Sequence, residues 1–231
     1  MPPSALKPST ALKPPRLAPR ERERIAAIFE RFAVAMPDPR TELVYVTPFT
    51  LLVSVVLSAQ ATDVSVNKAT GPLFAVADTP AKVLALGESG LKPFISSIGL
   101  FNTKARNVIA LSRILVEQFD GEVPLDREAL QALPGVGRKT ASVVLNELGV
   151  EPAIAVDTHV YRVAHRLGLS KGKTPDQVEA DLMRITPQVG LTRAHHWLIL
   201  QGRYVCVARK PRCADCALAD LCPSRELFQG G

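Results

Sequence analysis

Four cysteines, one lysine and one aspartate stand out in this chain as residues whose type and spacing could do chemistry. Cys206, Cys213, Cys216 and Cys222 follow one another as C-x6-C-x2-C-x5-C, and the chain has no others. Thiolates at that density must share a metal or a cluster, and cysteines gathered in one stretch point to a reducing compartment rather than a disulfide framework. Structural zinc usually takes two paired knuckles with a long insert between them. A single Cys-x-x-Cys flanked by lone cysteines suits a [4Fe–4S] cluster, with zinc left open by the donor set alone. Lys139 closes a turn with Arg138 before it, and an amine that sheds its proton is a nucleophile. By position alone it reads rather as a solvated lysine or a phosphate contact than as a nucleophile. Asp157 lies 18 residues further on. There an aspartate caps the following helix, and a half-buried carboxylate after Ala155 and Val156 could also steady a cation or move protons.

These groups need elements to hold them, and the sequence reads as helical almost throughout. From Glu21 onward Ile25, Ile28, Phe29 and Phe32 recur at helical spacing. Thr47-Pro48, Thr79-Pro80 and Thr174-Pro175 each pair a capping threonine with a proline suited to the first helical position. Further helices are expected from Asn102 toward Phe119, from Asp126 to about Leu133, from Gly137 to Leu148 (closed by Gly149), from Asp157 to Leu167, and from Thr192 toward Val205. Only Leu43–Val46 and Pro152–Val156 read as extended. The fold class is therefore all-α. The string Leu133-Pro134-Gly135-Val136-Gly137-Arg138-Lys139-Thr140-Ala141 joins two of the helices. Pro134 stops the first, and Gly135 and Gly137 permit a tight turn and close backbone approach. The amides of the next helix start can hold a phosphate without reading its base.

Composition sets the bounds. Hydrophobic residues make up 47% and charged residues 22% of 231, which is enough for a globular core. No stretch has the uncharged apolar length of a membrane helix, and the opening residues lack the apolar run of a secretory leader. Net charge is +6, of which residues 1–24 hold +4. The remaining body is near neutral, so a nucleic-acid surface there must be a local basic patch. Residues 1–20, in which Ala-Leu-Lys-Pro occurs at 5–8 and again at 11–14, read as a disordered, basic, proline-rich tail.

The nine-residue turn string resembles the helix–hairpin–helix of DNA glycosylases. Its surroundings resemble the endonuclease III family, through Leu57-Ser58-Ala59-Gln60-Ala61-Thr62-Asp63, Gly99-Leu100-Phe101-Asn102, Ile154-Ala155-Val156-Asp157-Thr158-His159 and the cysteine loop. The resemblance runs from about Glu21 to Cys222. Ser142 departs from it, standing where many relatives have asparagine.

The resemblance implies a base-excision enzyme that removes oxidised pyrimidines from duplex DNA and nicks at abasic sites. Lys139 would attack the sugar C1′, expel the base, hold the sugar as a Schiff base and promote β-elimination; Asp157 would be its essential acid. Gln60 and Leu100 fall at positions that enter the DNA when a nucleotide is extruded. Gly135, Gly137 and Arg138 would grip phosphate, as would the basic loop residues Arg209, Lys210 and Arg212, stiffened by Pro211. The four cysteines would hold a [4Fe–4S] cluster that fixes this loop. The expected organisation is a six-helix domain at 41–151 containing the hairpin, and a discontinuous cluster domain at 21–40 plus 152–231, with the site in the cleft between them. The chain is expected to act as a monomer, in the cytoplasm with nucleoid DNA if bacterial, and not at a membrane.

Two rivals remain at this level. An adenine glycosylase of the MutY type needs an acid where Val55 stands, a small residue in place of Lys139 and a further C-terminal domain. A noncatalytic DNA-binding module would not pair Lys139 with Asp157. His195-His196 lacks partner ligands at useful spacing and reads as a packed or solvated pair; Trp197, Tyr204 and Tyr161 read as core or surface aromatics.

Overall fold

Most helices of this chain begin where a side chain or a proline can satisfy the geometry of a helix start. The structure is a computed structural model and describes residues 17–228, so most of the expected tail lies outside the described residues. Ten α-helices follow in order: α1 Pro19–Ala35, α2 Pro48–Leu57, α3 Asp63–Val76, α4 Pro80–Ile95, α5 Phe101–Gln118, α6 Arg127–Ala132, α7 Arg138–Glu147, α8 Thr158–Arg166, α9 Pro175–Ile185 and α10 Leu191–Tyr204. The three threonine–proline pairs do cap α2, α4 and α9, each threonine oxygen accepting from a first-turn amide. Thr62, Asp126 and Asp157 do the same for α3, α6 and α8.

Three features differ from the sequence reading. First, α1 begins at Pro19, inside the segment read as tail, with the proline at the helix start. Second, no strand occurs among the described residues. The segment read as extended at 43–46 is held instead by Asn67 of α3, whose side chain accepts from the Val44 amide (2.9 Å) and donates to the Glu42 carbonyl (2.7 Å). One side chain thus does the work of a neighbouring strand. Third, α4 is interrupted at Gly87, whose φ of 68° is open to a residue without Cβ.

The described residues form two compact units. One gathers Asp38–Ala155 with His195–Trp197; the other holds the residues up to Pro37, Val156–Ala194 and those from Leu198 onward. His195–Trp197 thus belong with the first unit, although the sequence reading placed them with the cluster domain. In the first unit α2 is apolar but for Thr50 and Ser54 and buried from Phe49 to Leu57, as a helix at the centre of a core must be. Helices α3, α5 and α7 pack around it, and α4 pairs with α5. Arg127 of α6 ties the hairpin's two helices together, donating to Ser142 Oγ of α7 (2.8 Å) and pairing with Glu151. The departure at Ser142 therefore has a structural job.

The C-terminal end of α7 is anchored by a buried polar group. Glu147 accepts from the Tyr45 hydroxyl (2.9 Å) and pairs with His196 Nε2 (3.2 Å). His195 and His196 are both buried, and Trp197 is fully so, which bears out the reading of a packed pair. Burial pushes the Glu147 carboxyl up, but the hydrogen bond and charge of His196 and the Tyr45 hydroxyl outweigh it and hold it below the usual range. Tyr45 is pushed up to about 12 by its own burial and by Glu147.

In the second unit, α1 is stapled to the C-terminal segment. Arg24 donates to the carbonyls of Leu167 (2.8 Å) and Leu221 (2.9 Å) while paired with Glu21, and Arg31 pairs with Asp220. Arg24 counts toward the basic N-terminal segment, yet it is used up internally. No helix is long and apolar enough among the described residues to cross a membrane.

Replacing Glu147 by alanine orphans the Tyr45 hydroxyl and His196, and should cost about 2 kcal/mol at neutral pH. A carboxyl held below its ordinary value stabilises above that value and loses its contribution as pH falls through it. The gap between wild type and Glu147→Ala should therefore close below about pH 4. Urea unfolding at a series of pH values measures this; a gap that persists in acid contradicts it.

Candidate functional site

The hairpin that carries Lys139 leads into a helix start without a side-chain cap, as at α1, α5 and α10, but here it lies beside two exposed cationic side chains. Gly135 sits at φ 82°, and a Cβ there would stand 2.8 Å from the side-chain amide nitrogen of Asn107 on α5. Only glycine fits. The Val136 amide closes the turn on the Leu133 carbonyl at 3.0 Å. Gly137 then occupies the N-cap of α7 without a side chain to offer, so the first-turn amides receive no side-chain cap. Gly135, Gly137, Arg138 and Lys139 are all exposed. The result is a solvent-facing helix start carrying the positive end of the helix dipole, two cationic side chains and uncapped amides, which together make an anion-binding surface.

Asp157 lies in the second unit, at the N-cap of α8. Its Oδ1 accepts from the amides of both His159 (2.9 Å) and Val160 (2.8 Å). Both capping bonds fall on one oxygen, so the cap does not use Oδ2. The residue is half-buried, behind the buried Ala153, Ile154 and Ala155. One carboxylate can therefore hold a helix and still present an oxygen.

Gln60, Leu100 and Lys210 share a property invisible in their sequence. Their φ angles are 55°, 61° and 51°, in the left-handed region that L-residues rarely occupy. Asp120 is the one other such residue among the described non-glycine residues. Gln60 follows the end of α2, Leu100 is the N-cap of α5, and Lys210 lies between the first two cysteines. All three are exposed, Leu100 to 63% although its side chain is apolar. Strain of this kind costs on the order of 1–2 kcal/mol per residue and tends to gather at functional positions.

The four cysteines are brought together around one pocket, which Val163, Leu167, Val205, Pro211 and Ala219 line with apolar wall. Burial pushes the Cys213 and Cys222 thiols up, and so does the charge of their neighbouring cysteines. Crowded thiols of this sort need a cationic partner in order to ionise together. The donors surround a space, an arrangement that fits a polynuclear cluster with its own volume. Arg209, Lys210 and Arg212 face solvent on the loop between Cys206 and Cys213.

Sequence reasoning missed two arginines. Arg162 of α8 donates to the carbonyls of Cys206 (2.9 Å) and Gly202 (2.7 Å), and Arg166, one turn on, to those of Val207 (2.7 Å) and Ala208 (2.9 Å). Their spacing of four was the available signal, since it places both on one helix face. The same helix that Asp157 caps thus grips the start of the cysteine loop. Gly202 of α10 lets α8 come close, for a Cβ there would stand 2.8 Å from His159 Cβ.

Residues 53–188 match the HhH-GPD superfamily of base excision DNA repair proteins, and residues 206–222 match the iron–sulfur binding domain of endonuclease III. The chain belongs to the endonuclease III family. It is 60% identical to endonuclease III of Rickettsia conorii over 195 residues, covering 84% of this chain and 93% of that one. With endonuclease III of Escherichia coli strain K12 it shares 56% over 199 residues, covering 86% and 94%. Its structure superposes with TM-score 0.84 on a trapped endonuclease III–DNA covalent intermediate, an estranged-adenine complex, at 44% identity and covering 90% of this chain and 98% of that one. Like the family, the chain carries a [4Fe–4S] cluster.

The left-handed residues of this chain give a direct test of stored strain. Gln60→Gly or Leu100→Gly removes the Cβ conflict while losing little buried surface, and should leave the unfolding free energy unchanged or raise it by up to about 1 kcal/mol. Denaturant melts measure the change. A loss of more than that amount would mean these backbone angles carry no strain.

Proposed function

We propose that Lys139 is the nucleophile, and Asp157 its acidic partner, of a base-excision DNA glycosylase with an associated lyase activity at abasic sites. The substrate is duplex DNA carrying oxidised pyrimidines or abasic sites. What carries this reading is the exposed, uncapped start of α7 with Lys139 in its first turn. The Lys139 amine, once neutral, adds to C1′ of the damaged nucleotide and the C1′–N bond to the base breaks, the departing base taking the proton that frees it as the neutral heterocycle. Asp157, through the oxygen its cap leaves unused, stabilises the positive charge that builds on the sugar as that bond opens. The sugar's C1′–O4′ bond then opens, O4′ taking up a proton, and the resulting iminium acidifies the C2′ proton. Its removal expels the 3′ phosphate by β-elimination and breaks the strand. Water then releases the lysine.

Binding is divided among other residues. The α7 amides with Gly135, Gly137 and Arg138 hold backbone phosphate without reading sequence. Arg209, Lys210 and Arg212 add phosphate contacts from the cysteine loop. Gln60 and Leu100 enter the duplex where the extruded nucleotide leaves a gap, and their strained, exposed backbones support that role. Cys206, Cys213, Cys216 and Cys222 are the ligands of the cluster, which when bound supplies four Fe–S anchors for the loop. The enzyme works as a monomer where thiols stay reduced, in the cytoplasm with the nucleoid.

Borohydride trapping on abasic-site duplex tests the assignment. Wild type should form a covalent adduct and Lys139→Gln none. Asp157→Asn should keep the helix cap, and so fold with stability within about 0.5 kcal/mol of wild type. It should nonetheless lose base release by about a hundred-fold or more. An adduct from Lys139→Gln would name another amine; full base release by Asp157→Asn would reduce that residue to a cap.

A further inference from the structure

Gln201 is a buried polar residue that the chemistry above does not use. It lies in the last turn of α10 and lines the same pocket as the four cysteines. Its side-chain Nε2 stands 3.2 Å from Cys216 Sγ. Its backbone carbonyl accepts from the Cys206 amide at 2.7 Å and from the Val205 amide at 3.1 Å. A single residue therefore touches two cysteines that lie apart in the loop, the first through its main chain and the third through its side chain.

The placement has an electrostatic logic. A helix ends with carbonyls pointing outward and its negative dipole end exposed, a poor neighbour for a set of thiolates. Here the Gln201 carbonyl is turned to an amide of the cysteine loop itself. The side chain then offers the thiolates an N–H donor in a buried, apolar-walled site, where such a bond is stronger than in water. Hydrogen bonds to cluster sulfurs draw electron density from them and favour the more electron-rich state, which raises the reduction potential.

We propose that Gln201 is a positioning residue of the iron–sulfur centre: its amide donates to the Cys216 thiolate while its carbonyl fixes Cys206, so that it both tunes the cluster and protects it from loss. This rests on the assignment of the four cysteines as ligands. Gln201→Met keeps the volume and removes the donor; Gln201→Glu keeps the shape and replaces the donor with an acceptor of negative charge. Neither touches Lys139 or the hairpin.

The full chain, purified with its cluster, is compared by voltammetry and by the decay of visible absorption in air with a chelator present. Both variants should shift the cluster's reduction potential to more negative values, Glu further than Met. Both should bleach roughly ten-fold faster than wild type, the effect of losing one hydrogen bond to a charged acceptor, while circular dichroism keeps the wild-type helical signal. A wild-type potential and bleaching rate in either variant overturns the proposal. Cys216→Ala keeps the two layers apart. Iron loss there, together with unchanged behaviour at position 201, sinks this inference alone, whereas a full iron complement in Cys216→Ala sinks the ligand assignment on which it stands.

Discussion

An α-helix begins with amides that have no partner in the helix, and something must meet them. This chain meets them with a side chain at α2, α3, α4, α6, α8 and α9, by threonine or aspartate in each case. At α7 it supplies only Gly137. The stability forgone there is modest, for glycine in place of a good capping residue costs a few tenths of a kcal/mol. What it leaves is a solvent-facing set of donors beside Arg138 and Lys139. The shape of the hairpin follows from keeping that end bare: Gly135 must turn left-handed against Asn107, and Arg127 must brace α6 against α7 through Ser142.

The same economy governs α8. Its cap is Asp157 and its outward arginines, Arg162 and Arg166, hold four carbonyls at the approach to the cysteine loop. Displacing the loop would strip charged donors of their acceptors in a half-buried setting, a cost of several kcal/mol if all four were lost. The cluster loop and the helix capped by the aspartate thus move as one body. That gives a physical reason for a redox-capable centre in a protein whose chemistry needs no electron: it stiffens the frame on which the carboxylate stands.

Much of this was legible in the sequence because it is local. Thr-Pro pairs, Asp126, Asp157 and the Gly-x-Gly turn each announce themselves within a few residues, and the structure places them at the ends of helices as read. The four cysteines likewise carry their meaning in their spacing. What escaped was long-range or conformational. Nothing near Glu147 signals that Tyr45 and His196 will meet it, because those residues lie far off along the chain. The partner that holds the segment read as extended at 43–46 is Asn67, more than twenty residues on, and nothing local announces it. The left-handed backbones of Gln60, Leu100 and Lys210 belong to residues whose side chains argue against that region, so no propensity points to them. Arg24 counted only toward the charge of residues 1–24, because its acceptors are main-chain carbonyls, which carry no sequence code.

Those carbonyl bonds also bear on the order in which the protein can take shape as it is made. Arg24 has one of its carbonyl acceptors at Leu221, 197 positions further along the chain. Helix α1 completes its bonds only once Leu221 has been made, while Asp38–Ala155 contains the full set from α2 to α7 and can condense before then. Iron therefore meets a nascent chain whose hairpin-bearing half is built before the cysteines exist. The cluster can be completed only after that half, and the bonds of Arg24 and Arg31 then tie α1 to the segment that carries the last cysteine.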